Sequence, residues 1–94
     1  MKIWIDDMRP IPKGYDIHLH SFEEAKNIFQ KNKDGKITIV DFDHDLGEKL
    51  TGYDIAKYIV EHNIPIEGFR VHSMNPVGGW NIRQLLKKAG YKEV

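Results

Sequence analysis

The sequence predicts a single α/β domain built on a mainly parallel sheet of about four strands, in the order β-β-α-β-α-β-α. Three observations predict it. Apolar or β-branched runs at Lys2–Asp6, Asp16–His20, Lys36–Phe42 and Gly68–His72 alternate, from the second onward, with amphipathic stretches of helical period. Turn and cap residues punctuate the chain at 9–14, 32–35, 47–52, 63–65 and 75–79. The 94 residues show no repeat, low-complexity tract or linker-like shift, so residues 1–94 are expected to form one domain with a modest core.

The elements follow in order. Lys2–Asp6 is rich in β-branched and aromatic residues, and Asp16–His20 alternates Ile17 and Leu19 against His18 and His20, the pattern of an edge strand with one polar face. The link between them, Asp7–Tyr15, is too short for a helical crossover, which leaves the direction of the second strand open. Ser21-Phe-Glu-Glu24 is a capping box, and Ala25, Ile28 and Phe29 at helical spacing predict a helix over Phe22–Asn32, stopped by Asp34-Gly35. Lys36–Phe42 is almost continuously apolar, as a strand covered on both faces should be, and is placed at the sheet centre. Thr51 with Asp54 caps a second helix whose stripe is Ile55, Tyr58, Ile59 and His62 and which ends before Asn63 and Pro65. After the strand Gly68–His72, a last helix is predicted over Gly79–Ala89, with Ile82, Leu85, Leu86 and Ala89 inward and Gly90 as its cap.

Composition excludes several functions. Fourteen basic residues balance fourteen acidic ones, so there is no global field to draw long nucleic acid or an anionic membrane. The absence of cysteine excludes disulfides, thiolate zinc sites and a cysteine nucleophile. The apolar stretch at the N-terminus is too short for a signal peptide or a membrane span, so a soluble, cytoplasmic protein is expected.

Against that neutral background, Val40-Asp-Phe-Asp-His-Asp-Leu-Gly-Glu48 concentrates acid directly behind the central strand. In parallel α/β sheets, ligands bind beyond the carboxyl ends of the strands, where strand order reverses. This places Asp6, Asp7, the Asp41–Asp45 group, His72 and Ser73 on one rim. Clustered carboxylates repel one another unless something binds them, and two or more suit a hard cation that neutralises phosphate charge. Histidine titrates near neutrality, so His44 and His72 are a general base and general acid with interchangeable roles, and Asp45 completes the reactive group. The carboxylates suit magnesium or manganese, and mixed Asp and His donors would also suit manganese, zinc or iron. An EF-hand is disfavoured, because Leu46 stands where its loop needs glycine and Gly52 where it needs glutamate. Asp41 alone is assigned to capping the loop that follows it.

Asp6-Asp7 after the first strand, acids after the central strand, a Gly-Tyr-Asp-Ile helix start and a Ser after the next strand resemble a receiver domain, the phosphoryl-accepting module of two-component signalling, which has a flavodoxin-like fold. More closely, "IDDMRP", "DFDHDLG", "TGYDIAKYI" and "VHSMNPVGGWNI" together resemble the cyclic-phosphate processing receiver-like family. The resemblance implies a metal held by Asp6, Asp7 and Asp43. It also implies a role with cyclic phosphate ends in RNA repair or nucleotide systems. Two receiver parts are not found: the first helix, replaced by Arg9–Gly14, and a fifth strand with its lysine. A reversible phospho-aspartate switch is therefore disfavoured against metal-assisted chemistry on a bound phosphate.

"HSMNPVGGWN", residues 72–81, offers Ser73, Asn75 and the backbone N–H groups of Gly78 and Gly79 to a phosphate, and Arg9 reaches it across the rim. Trp80 is expected to pack on the core. His18 and His20 are assigned to an exposed strand face, His62 to a helix surface, and Arg83, Lys87, Lys88 and Lys92 to the solvated face of the last helix. The expected function is metal-dependent hydrolysis of a cyclic phosphate on a nucleotide or short RNA end. The alternatives are a module that captures a phosphorylated nucleotide unchanged and a degenerate receiver that works by protein contact.

Overall fold

A computed structural model describes residues 1–94. Its elements are β1 (Lys2–Ile5), β2 (Ile17–Leu19), α1 (Phe22–Lys31), β3 (Ile37–Phe42), α2 (Gly52–Glu61), β4 (Ile66–Val71) and α3 (Pro76–Lys88), in the predicted order. The sheet is four-stranded, ordered β2-β1-β3-β4, and every pairing is parallel, which settles the direction of β2. No helix is long and apolar enough to cross a membrane.

The topology determines which face carries the helices. The helical connections β2-α1-β3 and β3-α2-β4 step in the same direction across the sheet, and α3 continues that way, so right-handed crossovers stack all three helices on one face. There Ile3, Ile5, Val40, Phe42 and Phe69 meet Ala25, Phe29, Ile55, Ile59, Ile82 and Leu86 in one core. Phe29, Phe42 and Phe69 are fully buried, and truncating any of them to alanine costs about 3–5 kcal/mol. The one connection that steps the other way, Asp6 to Asp16, is non-helical and covers the opposite face. On that face His18, Trp4, Asp41 and Arg70 lie in register across four strands, and Tyr15 packs edge-on against Trp4 at 5.3 Å.

Several boundaries move from their predicted places. α3 starts at Pro76, not Gly79, because Asn75 is its N-cap and proline suits the first helical position. It ends in a Schellman motif, where the N–H of Gly90 (φ +95°) donates to Lys87 C=O and that of Tyr91 to Leu86 C=O. Ala89 is exposed, not inward. β4 starts at Ile66, two residues early. Thr51 and Asp54 form the full capping box, whereas the Glu24 carboxylate passes Ser21 and accepts from the N–H of His20. The chain also does not end at its last helix. Glu93 pairs in parallel with Phe69 at the outer edge of β4, held by ion pairs to Arg83 (2.7 Å) and Lys87 (3.0 Å). A single bridge thus stands where a receiver's fifth strand would run.

Candidate active site

Strand alternation puts Asp6, Asp41, Asp43 and His72 on the face that carries no helix, at or just inside the carboxyl ends of β1, β3 and β4. Asp6 is fully buried and accepts four hydrogen bonds. Its Oδ1 takes the N–H groups of Met8 and Arg9, both at 2.8 Å, and its Oδ2 takes the Arg9 guanidinium and His72 Nε2, both at 3.0 Å. Burial works to raise the pKa of this acid, but the bonds from Arg9, Met8 and His72 outweigh it and hold Asp6 below the usual carboxylate range.

Asp43, also buried, is less well served. It accepts its neighbour His44 N–H at 2.9 Å, and its nearest cation, Arg9, is 4.0 Å away. Burial first, and the adjacent Asp6 charge second, push its pKa up. The two neighbouring carboxylates are thus pushed in opposite directions, Asp6 by its donors and Asp43 by burial and repulsion.

Asp41 does not cap a loop. It lies inside β3, buried, and its partners are His72 and Tyr15: His72 Nδ1 is 2.7 Å from Asp41 Oδ1, and the Tyr15 hydroxyl donates to Oδ2. The imidazole therefore bridges two carboxylates, Asp41 and Asp6, while stacking on Trp4 at a centroid distance of 3.7 Å. Burial opposes its charge, but the two carboxylates prevail and its pKa is raised. Arg70 reaches the Tyr15 hydroxyl at 3.5 Å and closes the chain of contacts. His18 is tied in as well, since its Nε2–H donates to the Asp6 carbonyl at 2.7 Å.

His44 sits across the rim in a different setting. Its Nδ1–H donates to Asp45 at 3.0 Å, which leaves Nε2 without a partner, and the Asn75 amide approaches the other Asp45 oxygen at 3.4 Å. The ring lies where a Cβ on Gly78 would be, so that glycine makes room for it.

The expected site residues thus divide. Asp6, Asp7, Asp43 and Asp45, with Arg9, line one cleft of about 510 Å³ walled by the exposed Met8 and Met74. Asp7 lies over Gly47 (φ +67°), its carboxylate 2.7 Å from where a Cβ would sit. Ser73 accepts the Asn75 N–H at 3.0 Å and keeps its hydroxyl proton free. The phosphate cradle expected of Gly78, Gly79 and Asn75 needs correcting, because Gly78 N–H is taken by Asn75 Oδ1 and Gly79 N–H by the Asn75 carbonyl. These residues shape the rim around His44 instead of offering free donors. Trp80, expected in the core, is 59% exposed. Trp4, Tyr15, Asp41 and Arg70 join the network unannounced, and a charged residue inside an otherwise apolar central strand was the available signal for Asp41.

For a divalent ion, donor atoms of Asp6, Asp43 and His72 all fall within 4.8 Å of one another. The two carboxylates fit a hard cation, and Asp43, the under-compensated one, is its natural seat. His72 fits as the residue that orients Asp6, since both its ring nitrogens are committed to carboxylates.

The sequence model of the cyclic-phosphate processing receiver domain matches residues 1–88 of the 94. No curated protein matches the chain, and no solved structure does.

Proposed function

Because the chain belongs to the cyclic-phosphate processing receiver domain family, we propose that it is a metal-dependent phosphodiesterase opening a cyclic phosphate on a nucleotide or short RNA end. The observation that carries this reading is the Asp6–Asp43 pair, two buried carboxylates with opposite pKa shifts, set in a cleft with a single guanidinium. Asp43 and Asp6, with Asp7 at the rim, would hold magnesium or manganese; a bound ion of this kind neutralises phosphate charge and acidifies bound water.

The chain's own residues then divide the work. Arg9 is 41% exposed, so its guanidinium can turn from Asp6 to a non-bridging phosphate oxygen, and the Ser73 hydroxyl donates to another. The two histidines receive distinct roles. His44, held by Asp45 with Nε2 free, takes a proton from the attacking water as the new P–O bond forms. His72, with both ring nitrogens committed to Asp41 and Asp6, holds Asp6 in place, and the ring oxygen takes its proton from solvent as the old P–O bond breaks. The product is a phosphomonoester beside a free hydroxyl.

Phosphorus NMR of 2′,3′- and 3′,5′-cyclic nucleotides with magnesium or manganese tests the reading. Metal-dependent conversion that is lost in Asp43→Asn supports it. Shifted resonances with unchanged ligand would replace it with capture.

A further inference from the structure

We infer that the groove between α2 and α3 binds a short single-stranded RNA segment whose terminal phosphate lies in the carboxylate cleft. The inference rests on the reading of that cleft as a phosphate site and adds a second contact surface to it. The groove, about 660 Å³, is bounded by Tyr53 from α2 and by Trp80, Asn81, Gln84, Lys87 and Lys88 from α3.

Trp80 is 59% exposed although an indole is among the side chains that gain most from burial. Trp80, Gln84, Lys87 and Lys88 follow at i, i+4, i+7 and i+8, so they share one face of α3. The strip continues toward the cleft through exposed Val77 to Met74, which itself lines the cleft. From Trp80 to Lys88 the helix rises about 12 Å, room for about three stacked nucleotides.

Charge chooses the occupant. The chain has fourteen acidic residues, yet none lines this groove. Lys87 shares Glu93, while Lys88 has no ion-pair partner. An open aromatic face for a base, an unpaired ammonium for a phosphate and two carboxamides for base edges are the groups that single-stranded RNA uses.

The test measures binding of the full chain to three probes: hexauridylate ending in a 3′-phosphate, the same RNA ending in a 3′-hydroxyl, and uridine 3′-monophosphate. None is a substrate for ring opening, so turnover does not intrude. The phosphorylated RNA should bind about ten-fold tighter than the mononucleotide, the scale of one base–aromatic stack. Trp80→Ala and Lys88→Gln should each remove most of that gain without changing mononucleotide affinity, and Trp80→Phe should retain most of it. If only the cleft reading is wrong, the two RNAs bind alike and still depend on Trp80. The inference is overturned if Trp80→Ala leaves RNA affinity unchanged or weakens the mononucleotide equally. It is equally overturned if RNA does not bind and sedimentation shows Trp80-dependent self-association, the mark of a protein-docking surface.

Discussion

His72 Nδ1 lies 2.7 Å from Asp41 Oδ1, while Nε2 of the same ring lies 3.0 Å from Asp6 Oδ2, so one imidazole ring links a carboxylate inside the sheet to one at its rim. Trp4 supports the ring from below and Tyr15 holds the far side of Asp41. The orientation of Asp6 in the cleft is therefore set jointly by Met8 and Arg9, which line it, and by His72, which does not.

Stability should depend on pH through His72. Its pKa in the folded chain is raised above the unfolded value, because the bonds to Asp41 and Asp6 overcome burial. A group of this sign stabilises fully below its unfolded pKa, near 6.5, and the contribution is lost as pH rises through the folded pKa. Urea unfolding across that range should show stability falling as pH rises, with a flatter limb in His72→Gln.

Asp41→Asn keeps the shape of the side chain but removes the charge that His72 and Tyr15 both contact. Loss of a buried charge-assisted hydrogen bond predicts destabilisation of about 2 kcal/mol, read from urea midpoints. NMR titration of His72 should show its pKa falling in the same variant.

Asp43 should behave in the opposite way. Burial and Asp6 raise its pKa, so its ionised form opposes folding at neutral pH, and Asp43→Asn relieves that repulsion. The metal-free variant should be more stable than the natural chain, by about 0.5–2 kcal/mol. Thermal melts with added manganese should stabilise the natural chain and leave the variant unmoved.

Two glycines beside the site should tolerate substitution differently. A Cβ on Gly52 would run into the Asp43 backbone carbonyl, which cannot step aside, whereas one on Gly78 would meet the His44 ring, which can. Gly78→Ala should cost about 1–3 kcal/mol and displace His44, and Gly52→Ala should cost more. Urea unfolding ranks the two, and His44 ring chemical shifts report the displacement.

Much of this was legible from local chemistry. Thr51 with Asp54, Ser21, Gly90 and the apolar run of β3 act within a few residues of themselves, so their positions follow from spacing. The acids at the strand ends were legible for the same reason. Asp41, Tyr15, Trp4 and Arg70 were not, because their partnership depends on the register Trp4–Asp41–Arg70 across three strands and on a loop folding over the face without helices. Asn75-Pro76 reads equally as a turn or as a helix start, and the Asn75 side chain on Gly78 N–H decides it only in three dimensions. The tail beside β4 went unseen because one bridge, held by Arg83 and Lys87 on Glu93, leaves no strand-length pattern.

The most direct measurement of the central claim is phosphorus NMR of a 2′,3′-cyclic nucleotide incubated with the metal-stripped chain, with and without manganese, beside Asp43→Asn and His44→Ala. The account predicts manganese-dependent conversion to a phosphomonoester by the natural chain and at least a hundred-fold slower conversion, on the order of a lost acid–base group, in His44→Ala, with none in Asp43→Asn. Equal conversion by the natural chain and Asp43→Asn would contradict it.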